Sequence, residues 1–166
     1  MKCILAYDVG GTSLRAGLVS LTGDSLCMTS VTLPPLPMDA AGFSEKDPDD
    51  WWRNLRKATE ALFESPNAAG AEIAGLALSG LTRTQVFLDS KGKPVRHALT
   101  WADGRATEQA DRIIQAQARM GPPGKTFGPV NAFHTLARVL WIKEREPELF
   151  ERVSTVLEPK DYLNFL

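Results

Sequence analysis

Apolar residues alternate with polar or small ones through the first fifth of the chain, in runs that predict three strands at Lys2–Tyr7, Leu14–Leu21 and Leu26–Leu33. The spacers GGTS and TGDS are rich in turn-forming residues, so the runs are expected to form an antiparallel meander. LPPLPMDAAG then reads as a connector, because its prolines resist both helix and central strand. In DPDDWWRNLRKATEALFES the period changes to that of a helix. Asp47 is placed to cap it, Pro48 suits its first position, and Asp49 and Asp50 complement its dipole. Trp51, Leu55, Ala58 and Leu62 share one face, with Trp52, Thr59 and Phe63 beside them.

Further on, EIAGLALSGL predicts a buried strand, and TQVFLD, SKGK and PVRHALTW predict a second hairpin. A helix is expected from about Gly104 to Met120, closed by the loop GPPGK. Another follows in which Leu136, Val139, Leu140 and Lys143 recur at helical spacing until Pro147. VSTVLEP reads as a short strand and PKDYLNFL as the start of a helix, within whose apolar run the sequence stops. This order of elements predicts an α/β or α+β domain with helices packed on a sheet.

Composition narrows the picture. A length of 166 residues suits one domain with a sizeable core, and 43% hydrophobic with 23% charged residues is typical of a soluble protein. The net charge of −1 argues against nucleic acid or an anionic membrane as partner. No apolar run approaches a membrane span, and MKCILAYD turns acidic too soon for a signal peptide. Cys3 and Cys27 lie in neighbouring strand-like runs and are expected to be buried free thiols, which fits a reducing cytoplasm.

The first turn, DVGGTSLRAG, carries more chemistry than a hairpin needs. Asp8 ends a strand facing two glycines, which suits a divalent cation or a water bound to one. Gly10 and Gly11 would let backbone N–H groups approach phosphate oxygens. Thr12 and Ser13 add hydroxyls, and Arg15 adds a cation. The result is a phosphate cradle on a hairpin, distinct from the strand-to-helix P-loop, whose pattern is absent. A glycine hairpin with an incidental aspartate is the alternative.

A turn of this kind followed by arginine resembles the first phosphate motif of the sugar kinase, heat-shock chaperone and actin superfamily, which has a ribonuclease H-like (actin-like ATPase) α/β fold opening with the same meander. The later segments choose within it. LALSGLTRTQVFLDSKGKPVRHALTWADGR and LARVLWIKEREPELFERVSTVLEPKDYLNFL are similar to the FGGY carbohydrate kinases, the family of glycerol kinase and xylulokinase. The resemblance spans the whole chain in one order. It implies that residues 1–166 are the first part of the N-terminal, sugar-binding domain, with further strands extending the meander. The rest of that domain and the C-terminal nucleotide domain would be absent. Repressor and glucokinase-type kinases share the opening turn but lack WADGR and PKDYL in this arrangement.

By this resemblance the cofactors are ATP and Mg2+, and the partner is a small sugar or polyol. Asp8 lies near the metal and the transferred phosphoryl group, and Gly10, Gly11, Thr12, Ser13 and Arg15 approach the nucleotide phosphates. Thr82 and Arg83 fall where glycerol kinases carry Arg-Glu and xylulokinases Met-His, and this chain has neither pair. Arg83 could bind hydroxyls or an acidic group, or could be a plain surface arginine. Trp101 could pack on sugar C–H bonds or simply fill the core. Asp103 could accept sugar hydroxyls, anchor Arg105 or cap the following helix. Phe133, near a substrate-contacting tyrosine of glycerol kinases, offers packing alone. His97 and His134 read as surface or packed histidines, and Asp161 as structural, with Tyr162 and Leu163 packing behind the sheet. The family's general base lies in a Gly-Asp motif beyond the matched region, so the chain alone is expected to be inactive. Apolar surface near its end is expected to favour a homodimer. The alternative is a non-catalytic truncated relative acting as a sugar-binding or interaction module.

Overall fold

The computed structural model describes residues 1–119 and 129–166, so the GPPGK loop lies outside the described residues. In chain order the elements are β1 (Lys2–Val9), β2 (Ser13–Ser20), β3 (Ser25–Thr32), β4 (Glu45–Lys46), α1 (Asp49–Phe63), β5 (Glu72–Gly80), β6 (Val86–Leu88) and β7 (Ala98–Leu99). Then come α2 (Thr107–Arg119), α3 (Thr135–Arg145), α4 (Pro147–Phe150), β8 (Thr155–Leu157) and α5 (Pro159–Phe165). They fall into two compact units. The first comprises Met1–Pro35, Asp47–Thr82 and Glu158–Leu166, the second Leu36–Lys46 and Arg83–Leu157.

In the first unit the expected meander forms. β1 pairs antiparallel with β2, and β2 with β3, with ends within two residues of those predicted. β5 joins β1 in parallel, giving the order β3-β2-β1-β5. The alternation of β1 buries Cys3, Leu5, Tyr7 and Val9, while the middle of β2 buries Leu14, Ala16 and Leu18. Cys3 and Cys27 are both free, but Cys27 is only half-buried, since β3 turns every second side chain partly outward. α1 buries the four residues its period predicted, Trp51, Leu55, Ala58 and Leu62. Each such leucine contributes about 1.5–3 kcal/mol of transfer free energy. Tyr7 Oη on β1 and Thr59 Oγ1 on α1 meet at 2.7 Å. The cap falls on Pro48, one residue later than the expected Asp47, and Asp47 Oδ1 accepts the Asp49 N–H at 3.1 Å.

β5 corrects an expectation. Its apolar residues are not buried: Ile73 and Leu76 are exposed, because β5 is an edge strand of this sheet. A groove of about 350 Å3 lies beside it, lined by Tyr7, Trp52, Leu55, Leu76, Leu78 and Leu163. In α5, Tyr162 and Leu163 are buried, as expected.

In the second unit the predicted hairpin is only partly present. β6 and β7 are linked by bridges Gln85–Leu99 and Leu88–Pro94, but their ladders run elsewhere, β6 with β8 and β7 with β4. Those partners are distant in sequence, beyond what hairpin spacing can reveal. Phe87, Leu99 and Ile142 form one core cluster, and Ala106, Ala110, Val130 and Ala137 another. α2 starts at Thr107 rather than Gly104. The face of α3 is rotated from the one its leucines suggest. Ala137, Arg138 and Ile142 are buried, whereas Leu136 and Lys143 are exposed. His134 caps this helix, its Nδ1 accepting the Leu136 N–H at 3.2 Å. No helix among the described residues is long and apolar enough to cross a membrane.

Candidate active site

The predicted site residues are divided between the two units. Asp8, Gly10, Gly11, Thr12, Ser13, Arg15 and Thr82 belong to the first, and Arg83, Trp101, Asp103 and Phe133 to the second.

In the first unit, β1 and β5 run parallel and end together at Val9 and Gly80, with Asp8 in register with Ser79. Their carboxyl ends therefore carry the glycine turn and the segment leading to Thr82, the usual place for a ligand on an open α/β sheet. Two glycines make this possible. A Cβ at Gly10 would lie 2.7 Å from Ser13 O, whose partner is the Gly10 N–H at 2.9 Å. A Cβ at Gly80 would lie 2.9 Å from Val9 Cβ, where the Leu81 N–H donates to Val9 O at 3.0 Å. Gly10 thus shapes the turn, its own amide being used inside it. Thr12 O accepts the Leu33 N–H at 2.9 Å, which ties the turn to the end of β3.

Asp8 and Arg15 are in register across β1 and β2, with Oδ2 and Nη1 4.0 Å apart and both side chains more than half exposed. Such a pair contributes about 0.2–1 kcal/mol, so either partner can be redirected to a ligand at little cost. Among the described residues no group of three His, Cys, Asp or Glu side chains could hold a metal. Asp8 fits magnesium in the other common way, as one carboxylate on an ion otherwise held by water and nucleotide phosphates.

In the second unit the geometry centres on Arg138, which sequence reasoning missed. Its side chain is fully buried. Nη1 donates to Arg83 O at 2.7 Å, Leu99 O at 3.3 Å and Gln85 Oε1, while Nη2 donates to Thr100 O and to Asp103 O at 2.9 Å. Phe133 lies under the guanidinium, its ring centre 5.8 Å from Cζ. Burial pushes Arg138 down to about 10, partly offset by the charge of Asp103 and reinforced by Arg105, so it stays protonated at neutral pH. The signal available in the sequence was its place on the arc with Ala137, Trp141 and Ile142. Its charge hid it, because charges are assigned to solvent.

Arg83 is exposed and has φ 58°, the left-handed region that bulky residues rarely occupy. Such strain recurs at ligand sites. Trp101 is half exposed at 50%, so it is not the core residue its type suggested, and its N–H donates to Thr84 Oγ1 at 3.0 Å. An exposed tryptophan on a fixed backbone suits packing against the apolar face of a sugar.

Asp103 is wholly buried. Its carboxylate accepts from Arg105 Nε at 2.9 and 3.0 Å, from Nη2 at 2.8 Å and from the Ser44 N–H at 2.7 Å. Of its three sequence readings, the geometry matches the anchoring of Arg105. Arg105 also pairs with Glu45 at 2.7 Å and stacks on Phe43 and Trp141, with Cζ 4.1 and 4.8 Å from the ring centres. Burial alone would lower its pKa, but Asp103 and Glu45 outweigh that and raise it.

The chain matches the N-terminal domain of the FGGY family of carbohydrate kinases over residues 3–166. It is 33% identical to a xylulose kinase of Bacillus subtilis and 31% identical to one of Lactococcus lactis, over 99% of this chain in each case but only 33% and 32% of those proteins. Among solved structures, a xylulose kinase from Brucella ovis superposes with TM-score 0.84 at 27% identity, covering 98% of this chain and 34% of that one. A glycerol kinase from Plasmodium falciparum superposes with TM-score 0.81 at 17% identity, covering 99% and 34%, and so shows the shared fold. The chain spans about a third of the length of the relatives it matches. With a ribonuclease H-like α/β architecture and a match that runs almost from end to end, the chain belongs to the FGGY family of carbohydrate kinases.

Proposed function

We propose that this chain supplies the phosphate turn and the sugar contacts of an ATP- and magnesium-dependent kinase acting on a ketose or polyol hydroxyl. The observation that carries the reading is the β1–β2 turn. It is pinched by a glycine that tolerates no Cβ and bears an exposed carboxylate and an exposed guanidinium at the carboxyl end of two parallel strands. Phosphoryl transfer needs positioning and charge neutralisation more than covalent chemistry, and a rigid turn with both charge signs offers these. ATP with magnesium would bring the transferable phosphoryl group and its counter-charge. Asp8 would face the metal, Arg15 and the Thr12 and Ser13 hydroxyls would face phosphate oxygens, and Gly11 would leave room for their approach.

On the sugar side, Arg83 and Trp101 are the contacts, one a hydrogen-bonding fork and the other an apolar plate, with Thr82 beside them in sequence and Phe133 packing below Arg138. Asp103 acts through Arg105 and the loop it holds. The substrate class follows the relatives, among which xylulose kinases predominate. The 166 residues alone are inferred to turn over little or nothing. The family's general base falls outside the matched motifs, and such a base supplies about 10²–10⁴-fold. Exposed Ile73, Leu76 and Phe165 support the further proposal of a homodimer, which sedimentation across a range of concentrations would reveal as a rising mass.

Calorimetric titration with D-xylulose, D-ribulose and glycerol tests the sugar reading. Binding of a ketose or polyol that is lost in Trp101→Ala is the expected result. Failure of all three to bind, or binding unchanged in that variant, would sink it.

A further inference from the structure

We propose that Arg138 is a positioning residue for sugar binding, clamping the backbone of the two turns that present Arg83 and Trp101. The inference rests on the reading of those two side chains as sugar contacts.

A buried guanidinium needs acceptors for its N–H groups. Arg138 is completely removed from solvent, and its two terminal nitrogens donate to four backbone carbonyls and one amide oxygen, none of them a carboxylate. As a device for stability this is a poor choice, because a buried charge is commonly matched or surpassed by well-packed apolar residues. The acceptors explain the choice. Arg83 O and Gln85 Oε1 come from the segment leading into β6, and Leu99 O, Thr100 O and Asp103 O from the end of β7 and the turn after it. A planar fork can bridge two strands' ends in this way, whereas an ammonium has three donors and no fixed plane.

What the clamp holds is also unfavourable by itself. Arg83 adopts φ 58°, which a side chain with Cβ disfavours, and its carbonyl is the one Nη1 grips at 2.7 Å. Trp101 stays half exposed although its flanking carbonyls, Thr100 O and Asp103 O, are held from inside by Nη2. The clamp is completed by Gln85, whose Nε2 donates to Thr135 Oγ1 at 3.2 Å and so fixes the acceptor that Nη1 meets. One buried residue thus sets the backbone at both exposed ligand candidates. The backbone at neither can shift without breaking its hydrogen bonds.

The test compares the wild type with Arg138→Lys, which keeps the charge and loses the fork. Hydrogen exchange reads the Gln85, Leu99, Trp101 and Asp103 amides in the free protein, and calorimetry reads D-xylulose and D-ribulose binding. Exchange at those four amides is expected to rise about tenfold or more while the Phe87, Ile142, Leu5 and Leu18 amides hold. Ketose affinity is expected to fall by a similar factor. A merely structural role would instead loosen Phe87 and Ile142 as well and leave the affinity of the folded fraction unchanged, and that result would overturn the proposal. So would wild-type exchange at the four turn amides. If Arg138→Lys does not fold, Gln85→Leu removes the side-chain acceptor together with its bond to Thr135 and is expected to shift both readouts in the same direction; no shift would overturn the proposal. Absence of sugar binding by the wild type would overturn the sugar reading, while the exchange pattern would still decide whether Arg138 holds the two turns.

Discussion

Removing the Asp103 carboxylate by Asp103→Ala is expected to destabilise the second unit by about 3–5 kcal/mol, the cost of breaking a buried charge pair from one side. The magnitude follows from what loses its partner. Arg105 would lose the carboxylate that meets Nε and Nη2 at 2.8–3.0 Å, in a site where its side chain is only 2% exposed. It keeps Glu45, which is one-third exposed and therefore a weaker anchor. The Ser44 N–H, in a fully buried residue, would lose its acceptor at 2.7 Å, a further loss of about 1–3 kcal/mol if no water enters. Stacking on Phe43 and Trp141 limits the damage, so the lower half of the range is favoured. Asp103→Asn, which retains one acceptor, should cost less than Asp103→Ala. Native-state hydrogen exchange at the Leu99 and Ile142 amides reads the opening free energy within that unit. Opening energies within about 1 kcal/mol of wild type in the alanine variant would refute the reasoning, since surface-like behaviour is incompatible with a carboxylate so engaged.

Gly10→Ala should cost about 1–3 kcal/mol in thermal unfolding, because the new methyl meets a backbone oxygen at 2.7 Å and the turn has to shift. Trp101→Ala should cost about 1–2 kcal/mol of stability, since half of the side chain is buried, while ketose affinity by calorimetry falls further than that loss explains. Tyr162 is pushed up from 10.0 to about 12 by burial and by Asp49, which accepts its hydroxyl at 3.4 Å. The folded state therefore holds this proton more tightly than the unfolded chain. Its contribution to stability is complete below pH 10.0 and is lost as the pH rises towards about 12. Urea unfolding midpoints should fall across that window, less steeply in Tyr162→Phe.

What could be read from the sequence was local. The β1–β2–β3 meander needed only period-two runs and short turns, and the buried face of α1 followed from spacing alone. The tight turn between β1 and β2 was legible because two glycines sit between two period-two runs. Three features depended on distant partners and were not legible. An apolar strand such as β5 looks the same at an edge as at the centre of a sheet. β6 chose β8 over a full hairpin with β7, a competition no local pattern records. Arg138 is buried because five acceptors converge on it from elements far away in sequence, and an arginine on a helix gives no sign of that. Arg83, by contrast, stood out only through its position in a family resemblance, and its left-handed backbone was invisible until the fold was known.

The central claim, that the β1–β2 turn receives nucleotide phosphates, is tested most directly by amide NMR of the chain titrated with ATP and magnesium. Shifts concentrated at Gly11, Thr12, Ser13 and Arg15, saturable and abolished in Gly10→Ala, are the predicted result. An unchanged turn, or equal shifts in wild type and Gly10→Ala, would contradict it.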